Sequence, residues 1–219
     1  LTSALQGARY FLTGGGPAAY HGGEAQMLVK TRPEVIAPDL QYFMTNILYT
    51  NNGRTIIDKH GFMTYFTLQR PGSRGTVKIS SADPAKAPAI DLNYFDDPND
   101  IATIREGIRI SRRLFAQPAF DPYRGEEYQP GAAAQSDADL EAYIRREVTS
   151  NYHLSGTCKM GSDVLAVVDH TLRVRGLDGL RVIDASIMPR VVSGNTNAPT
   201  MMIAEKGAEM ILEGIRPAV

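Results

Sequence analysis

Two kinds of hydrophobic pattern divide the middle of the chain, and they constrain its fold more than any other feature. The segments PDLQYFMTNILYT and GFMTYFTLQRPGSRGTVKIS are rich in aromatic and β-branched residues, which favour strands, and RPGSRG interrupts the second in the manner of a hairpin loop. The next segment, DPNDIATIREGIRISRRLFAQP, places Ile101, Ile104, Ile108 and Leu114 at helical spacing and ends before Pro118. We therefore predict an α+β fold in which helices cover an antiparallel sheet.

A second helical pattern follows in SDADLEAYIRREV. Ser136 stands where an N-cap residue is preferred, because its hydroxyl can accept a hydrogen bond from a free N–H group of the first turn. Leu140, Tyr143, Ile144 and Val148 then share one face at helical spacing. We expect both helices to cover the core rather than to carry chemistry.

The last fifty residues change in character. TLRVRGLDGLRVIDASIMP predicts two short strands around GLDG, and LRVID is apolar enough to be buried on both faces. SGNTNAPTMMIAEKGAEMILEGIRP then predicts a polar loop and a helix that begins near Pro199, continues through Leu212 and stops at Gly214 and Pro217. This order of strand, loop and helix start would direct free N–H groups towards an anionic or carbonyl-bearing ligand, and an ordinary connection between elements is the alternative.

The composition narrows the possible partners. The formal net charge is -1 and the chain has no dense run of Lys and Arg, so it offers no electrostatic attraction for nucleic acid or anionic lipid. No stretch is long and apolar enough to span a bilayer. Cys158 is the only cysteine, which excludes an internal disulfide and a cysteine-based zinc cluster and favours a reducing compartment such as the cytoplasm.

The segment SNYHLSGTCKMGSD places His153 in a loop that follows a helix end and leads into small residues, so its ring can face a cavity. No second histidine or carboxylate lies at ligand spacing, and we predict no metal site. Cys158 is interpreted as a small apolar filler in a buried, extended stretch, and Ser155 lacks the G-x-S-x-G elbow of hydrolases. The other histidines are interpreted as solvated or turn residues: His21, His60 and His170. General acid–base catalysis by His153 remains, since imidazole can accept a hydroxyl proton near neutral pH.

Several segments, in a fixed order, together resemble one known family. YHLSGTCKMG, VVDHTLRVRGLDGLRVIDASIMP and SGNTNAPTMMIAEKGAEMI resemble the carboxy-terminal part of the glucose-methanol-choline (GMC) oxidoreductases, in the branch of the choline dehydrogenases and related alcohol dehydrogenases. Upstream, SRGTVKISSADPAKAPAIDLNYFDDPND and the Gly-rich loop TGGGPAAYHGGEA resemble the substrate domain of the same family. The resemblance thus covers nearly the whole chain.

The resemblance implies an FAD-dependent enzyme that oxidises an alcohol by hydride transfer from the carbinol carbon to flavin N5. By its position in the motif, His153 matches the active-site histidine that removes the hydroxyl proton. Asn195 matches the position of a second active-site histidine or asparagine, and because an amide cannot act as a base, it would orient the alcohol oxygen. The positions that would contact FAD are Asp184 and Ala185 beside the ribityl and diphosphate portion, and Asn197, Ala198, Pro199 and Thr200 beside the flavin ring.

One motif of the family has no match in the chain. The FAD-binding domain of these enzymes opens with a strand and a G-x-G-x-x-G turn, and TGGGP lacks that spacing. The first residue is also not methionine. We therefore expect a portion of a longer enzyme, in which residues 1–163 form the substrate-binding domain with the His153 loop and residues 164–219 complete an FAD-binding domain. Its expected partners are a small alcohol, an amino-terminal FAD-binding portion and an electron acceptor, and alone it should bind FAD weakly or not at all.

Two alternatives stay open at this point. Without the dinucleotide motif the chain could act only as a binding module. Hydroxynitrile lyases of the GMC fold retain FAD without net redox turnover, so a lyase is also consistent with the motifs. The segment GNTNAP resembles the dehydrogenases most, which favours alcohol oxidation, by a dehydrogenase rather than an oxidase.

Overall fold

The computed structural model describes residues 2–16, 19, 23, 25–51 and 53–215. The strands are β1 (Ala25–Val29), β2 (Leu40–Thr45), β3 (Tyr49–Thr50), β4 (Thr55–Ile56), β5 (Met63–Leu68), β6 (Thr76–Lys78) and β7 (Ala89–Asp91). The helices are α1 (Thr2–Thr13), α2 (Pro98–Phe115), α3 (Asp137–Glu147) and α4 (Asn197–Ile215), with short 3-10 turns at Pro118–Phe120 and Ala185–Ile187. This mixture of helices and small antiparallel sheets agrees with the predicted α+β class.

The chain forms two compact units, each built from two separate segments. The first unit comprises Leu1–Thr67 and Thr103–Thr149, and the second comprises Leu68–Ala102 and Ser150–Val219. The boundary predicted after residue 163 separates a substrate-binding domain from a segment that completes an FAD-binding domain. The two compact units do not test it, and it stays a prediction.

The first unit is organised around a three-stranded sheet with the strand order β1-β2-β5. Strands β1 and β2 pair in antiparallel register, from Ala25 opposite Met44 to Val29 opposite Leu40. The antiparallel sheet predicted for the segment of β2 is thus present, although the sequence analysis did not predict a strand at β1. Residues 40–42 are all buried. Because successive side chains of a strand point to opposite faces, β2 is covered on both sides.

Helix α2 covers this sheet at close range. The Tyr42 hydroxyl donates to the Gly107 carbonyl oxygen at 2.8 Å, and the Tyr42 and Phe66 rings lie 4.9 Å apart between centroids. A Cβ atom at Gly107 would lie 2.6 Å from Phe66 Cε2 and 2.9 Å from Leu40 Cδ1. Glycine at 107 therefore lets the helix backbone approach the strands, and the tyrosine hydroxyl finds its partner in that backbone.

The predicted apolar faces of α2 and α3 are largely confirmed. Ile101 and Ile108 of α2, and Leu140 and Ile144 of α3, are buried. The prediction was wrong for Val148, which is 38% exposed, because the helix ends at Glu147 and Val148 already has an extended ψ of 137°. Three further residues of the predicted faces are half-buried: Ile104, Leu114 and Tyr143.

The predicted N-cap of α3 is confirmed as a reciprocal capping box. The Ser136 hydroxyl oxygen accepts the Asp139 N–H at 3.1 Å, and the Asp139 carboxylate accepts the Ser136 N–H at 3.1 Å. The Ser136 hydroxyl also donates to this carboxylate at 2.6 Å, which lowers the pKa of Asp139 below its ordinary value. Two of the free N–H groups at the start of the helix are satisfied in this way.

The hairpin predicted at RPGSRG is wrong. Strand β6 pairs with β7, from Thr76 opposite Asp91 to Lys78 opposite Ala89, and not with β5. The intervening loop is held by the buried Asp100 carboxylate, which accepts the N–H of Gly72 at 2.8 Å and the N–H of Ser73 at 2.9 Å. Because a side chain distant in sequence takes these N–H groups, the loop does not close a ladder between β5 and β6.

The two strands predicted around GLDG do not form as regular strands. The segment makes only isolated bridges, of Val168 with Val174 and of Arg173 with Arg181. LRVID is half-buried at its three central residues and exposed at its ends, so the prediction of a strand buried on both faces is wrong here. A strand of that kind needs a neighbour on each edge, and among the described residues this segment forms only one β-bridge, at Arg181, flanked by backbone hydrogen bonds from Val174 to Leu180 and from Val182 to Leu172.

The second unit has its own apolar core. Its buried cluster consists of Val168, Leu172, Ile187, Met188 and Ile203. The predicted carboxy-terminal helix is confirmed as α4, although it includes Gly214, which was expected to end it. Pro217, the other expected stop, lies outside the described residues.

The amino-terminal region contains a helix that the sequence analysis did not predict. Helix α1 covers Thr2–Thr13, so the predicted Gly-rich loop of residues 13–25 overlaps its last residue. Gly14 and Gly16 have positive φ angles of 67° and 99°, which suit a turn after the helix. Residues 17, 18, 20–22 and 24 of the predicted loop lie outside the described residues, and so does His21.

Candidate active site

The loop that carries His153 begins with a local turn. The Ser150 hydroxyl oxygen accepts the N–H of Tyr152 at 2.9 Å. Tyr152 has a left-handed φ of 61°, a conformation that few non-glycine residues adopt, and its side chain is 70% exposed. Burial raises the pKa of Tyr94, and a hydrogen bond with Ser150 partly opposes this rise. The chain thus bends immediately before His153.

The segment after His153 is fixed to the turn Ala185–Ile187 by backbone hydrogen bonds. The Cys158 N–H donates to the Ser186 carbonyl oxygen at 3.0 Å, and the Met160 N–H donates to the Ile187 carbonyl oxygen at 2.7 Å. Cys158 is half-buried in a turn, so the buried, extended stretch predicted for it is wrong. These bonds bring the His153 segment beside Ala185, one of the residues expected to contact FAD.

Asp184 forms the start of the turn Ala185–Ile187. Its carboxylate Oδ1 accepts the Ser186 N–H at 2.7 Å and so caps the turn. The residue is exposed, and its role beside a cofactor stays a prediction. The structure therefore gives Asp184 a capping role that the sequence analysis did not predict.

The other residues expected to contact FAD form the first turn of α4. The Thr200 N–H and hydroxyl both donate to the Thr196 carbonyl oxygen, at 3.0 Å and 2.6 Å. Asn197 and Ala198 precede the first residue that can donate within the helix, so their N–H groups have no intrahelical acceptor. Pro199 has no N–H group. The helix therefore starts with two N–H donors and the partial positive charge of a helix amino terminus.

His153, Asn195 and Thr196 meet at this helix start. The Asn195 Nδ2 atom lies 2.7 Å from His153 Nε2. On the other side of the ring, Nδ1 lies 3.0 Å from the Thr196 hydroxyl oxygen and 3.4 Å from the Thr196 backbone nitrogen. His153 is half-buried and Asn195 is exposed. The two residues predicted to be catalytic are thus in direct contact, although 42 positions separate them in sequence.

This arrangement can perform acid–base chemistry on a hydroxyl group. A neutral imidazole accepts a proton at one nitrogen, and an amide NH₂ group donates to an oxygen, so the pair can receive an O–H proton and hold the oxygen that loses it. The amino terminus of α4 follows directly, and its partial positive charge favours a negative oxygen nearby. The site therefore suits a reaction in which negative charge develops on a substrate oxygen.

Three further residues lie at the site: the sequence analysis did not find Thr196 and Arg70, and it considered Ser155 only as a hydrolase nucleophile. Thr196 contacts the ring of His153, as described above. The Ser155 hydroxyl is buried without a hydrogen-bond partner among the described residues. Arg70 has a left-handed φ of 54° and donates to the Ser193 hydroxyl at 2.8 Å, which fixes the loop two residues before Asn195. This last contact joins residues 123 positions apart, a separation that no local pattern reveals.

The described part of the chain has neither a metal-binding cluster nor a helix that could span a membrane. No three of its His, Cys, Asp and Glu side chains are grouped to hold a metal ion. None of its described helices combines the length and apolar character needed to cross a membrane.

Comparison with known proteins identifies the family to which this site belongs. The sequence model of the GMC oxidoreductases matches residues 71–204, which is more than half of the chain. The chain belongs to the GMC oxidoreductase family. The matched range of this GMC oxidoreductase includes His153, Asn195 and the first turn of α4.

Individual relatives agree with the family assignment. An oxygen-dependent choline dehydrogenase of Ectopseudomonas mendocina is 44% identical over 205 residues, which cover 94% of this chain and 36% of the relative. Pyridoxine 4-oxidase from Mesorbium loti is 29% identical with a TM-score of 0.79, and the match covers 88% of this chain and 38% of that protein. Formate oxidase from Aspergillus oryzae is 24% identical and shares the fold, with a TM-score of 0.86 over 98% of this chain and 42% of that protein. The chain thus spans little more than a third of the length of the curated relative.

Proposed function

We propose that the chain is the substrate-binding and active-site portion of an FAD-dependent enzyme that oxidises an alcohol to an aldehyde or ketone. The observation that carries the proposal is the contact of His153 Nε2 with Asn195 Nδ2 at 2.7 Å, next to the amino terminus of α4. In this proposal residues 1–163 form the substrate-binding domain and residues 164–219 complete the FAD-binding domain.

The chain's own residues would activate the alcohol. His153 Nε2 accepts the hydroxyl proton, and the Asn195 amide donates to the oxygen from which the proton leaves. The amide can keep this hydrogen bond as the oxygen becomes more negative, so it stabilises the transition state more than the bound alcohol. The positive end of α4 acts in the same direction.

The residues present fit FAD as the cofactor. The buried Ser155 hydroxyl has no partner among the described residues, and leaving such a group unpaired costs roughly 1–3 kcal/mol, so an additional polar group is expected beside it. The N–H groups of Asn197 and Ala198 can donate to a flavin carbonyl or ring nitrogen, and Pro199 and Thr200 would line the same ring. Asp184 and Ala185 would lie along the ribityl and diphosphate portion. FAD, once bound, supplies the acceptor for the hydride of the carbinol carbon.

The similar proteins direct the choice of substrate and electron acceptor. Because a relative of 44% identity is named a choline dehydrogenase, we propose a small primary alcohol as substrate and choline as the first to test. The same name includes the words oxygen-dependent, so it points to both acceptors, and the likeness of GNTNAP to the dehydrogenases makes a dehydrogenase the first choice and an oxidase the second. Peroxide formation, compared with the reduction of a quinone-type acceptor, distinguishes the two.

The test is anaerobic flavin reduction in the complete polypeptide, before and after substitution of His153. We expect His153→Gln to slow reduction of the flavin by the alcohol by about 10²- to 10⁴-fold, the range typical of a lost general base. His170→Gln is the matched control, because His170 is an exposed histidine of the same structural unit. It should leave the rate unchanged.

Three results would contradict the proposal. Undiminished flavin reduction in His153→Gln would remove His153 from the mechanism. A polypeptide that carries no flavin and takes up none would refute the cofactor and favour the binding-module alternative. A flavin-loaded protein that alcohols do not reduce, and that cleaves a cyanohydrin, would instead identify a lyase.

A further inference from the structure

The ring of His153 is held at both nitrogens, and only one of these contacts involves a predicted catalytic residue. Nε2 faces the Asn195 amide nitrogen at 2.7 Å, and Nδ1 faces the Thr196 hydroxyl at 3.0 Å. A neutral imidazole has one N–H donor and one lone pair, so the two contacts are not independent. Whatever partner fixes the proton at Nδ1 also determines whether Nε2 can accept one.

The two shorter contacts of the ring select one tautomer, and a third, longer contact opposes it. The Asn195 amide nitrogen is a donor only, so Nε2 must be the acceptor in that contact. The proton of the neutral ring then lies on Nδ1, and the Thr196 hydroxyl oxygen must accept it. The Thr196 backbone N–H, at 3.4 Å from Nδ1, is a donor and would favour the opposite tautomer. The Thr196 hydroxyl therefore counteracts the Thr196 backbone N–H: it favours the tautomer with the proton on Nδ1 and the lone pair on Nε2.

The residue three positions later removes one of the two N–H groups that the Thr196 hydroxyl could otherwise cap. Thr196 directly precedes helix α4, where a threonine hydroxyl ordinarily accepts the N–H of the second or third helical residue. Here the third helical residue is Pro199, which has no N–H group. The Thr196 carbonyl oxygen still accepts the first helical hydrogen bond, from the Thr200 N–H at 3.0 Å, so the backbone of Thr196 is fixed while its side chain faces the histidine.

We propose that Thr196 is a positioning residue for the reaction: its hydroxyl accepts a hydrogen bond from His153 Nδ1 and thereby keeps the Nε2 lone pair directed at the substrate hydroxyl. The proposal rests on the proposed role of His153 as general base. It extends that role, because Thr196 acts through the histidine and not on the alcohol. When Nε2 takes the substrate proton, the same Nδ1–H···O bond remains and becomes stronger with the positive charge of the ring.

The test uses two substitutions of Thr196 in the complete, flavin-containing polypeptide. Thr196→Ser keeps the hydroxyl, and Thr196→Val keeps the shape and the backbone N–H but removes the hydroxyl. ¹⁵N NMR of labelled histidine, at about pH 8.5 where an ordinary imidazole is neutral, reports which ring nitrogen carries the proton. The signal that disappears in His153→Gln belongs to His153. Anaerobic flavin reduction gives the limiting rate and the apparent KM separately.

We expect protonated Nδ1 in the unsubstituted protein and in Thr196→Ser. Thr196→Val should shift the proton towards Nε2 and lower the limiting rate by about tenfold to thirtyfold, with little change in KM, because the alcohol still meets Asn195. A protonated Nε2 in the unsubstituted protein would overturn the proposal, even if the Val variant failed to fold. A Ser variant as slow as the Val variant, or a Val variant unchanged in tautomer, would overturn it as well.

The same measurements separate this proposal from the proposed function. If His153→Gln leaves flavin reduction intact, His153 is not the base and both proposals fail. If His153→Gln abolishes reduction while Thr196→Val changes neither tautomer nor rate, only the role of Thr196 fails.

Discussion

Tyr42 allows a quantitative test of the core of the first unit. Its ring is 1% exposed and its hydroxyl donates to the Gly107 carbonyl oxygen at 2.8 Å. Tyr42→Phe removes the hydroxyl and leaves the packing with Phe66, so the loss is the hydrogen bonding of that hydroxyl with the Gly107 carbonyl oxygen and with Ser111, together worth about 1 kcal/mol. The variant should therefore unfold with a free energy lower by about 1 kcal/mol at neutral pH.

The difference in free energy of unfolding between Tyr42→Phe and the unsubstituted protein should reverse in sign at alkaline pH. Burial raises the pKa of Tyr42 well above its ordinary value, partly offset by a hydrogen bond with Ser111. A group whose pKa is raised by folding stabilises the fold fully below its unfolded pKa, and this contribution is lost as the pH rises above that value. With an unfolded pKa of about 10, ionisation of Tyr42 in the unfolded chain lowers the free energy of unfolding of the unsubstituted protein by about 1 kcal/mol at about pH 10.7. This loss equals the advantage that the hydroxyl gives at neutral pH. The stability curves of the two proteins should cross near this pH.

The assay is urea unfolding of both proteins at several values between about pH 7 and about pH 11. Tyr49 and Tyr143, whose pKa values burial raises to about 12, contribute to both proteins and cancel in the difference. Tyr123→Phe, which changes a ring that is 76% exposed, is the matched control. A gap between Tyr42→Phe and the unsubstituted protein that stays constant with pH would refute the reasoning.

Two further substitutions test close contacts of the fold. Gly107→Ala should destabilise by roughly 1–3 kcal/mol, despite the higher helix propensity of alanine, because the new Cβ would lie 2.6 Å from Phe66. Gly7→Ala is the matched control in helix α1, where a new Cβ would meet nothing within 4 Å beyond the backbone of the helix itself, and it should stabilise by about 1 kcal/mol. Thermal unfolding measures both effects. An equal effect at both sites would contradict the steric argument. Asp100→Asn should lower the free energy of unfolding by roughly 1–3 kcal/mol, since the carboxylate accepts the N–H groups of residues 72 and 73. Amide hydrogen exchange at these two residues should become faster. Unchanged exchange there would show that other contacts hold the loop.

The helices could be predicted from sequence because their determinants are local. Ser136 and the apolar spacing of Leu140 and Ile144 define α3 within a few residues, and the structure shows the same cap and the same buried face. The predicted hairpin at RPGSRG failed for the opposite reason. The loop meets Asp100, about 30 positions away, and the composition of a turn does not contain that contact.

The residues of the site could be named from motifs, but not their mutual arrangement. The GMC-like segments indicated His153 and Asn195, and only the structure shows that their side chains touch. Thr196 was not predicted as a site residue, because a threonine directly before a helix is ordinarily the N-cap residue. Its different use depends on Pro199 and on a histidine 43 positions earlier. A motif that lists residue types does not say which hydroxyl contacts which ring nitrogen.

The short contact between His153 and Asn195 also constrains how an alcohol could bind. Nε2 has one lone pair, and at 2.7 Å the Asn195 amide already occupies it. An alcohol must therefore take the place of the amide at Nε2, after which the freed N–H can donate to the alcohol oxygen. One hydrogen bond is exchanged for two, and since the alcohol also loses its bonds to water, the net gain in binding is small. Once the proton moves, however, the amide faces a negative oxygen, and hydrogen bonds to charged groups are stronger. Asn195 should therefore contribute more to the rate of proton removal than to the affinity for the alcohol.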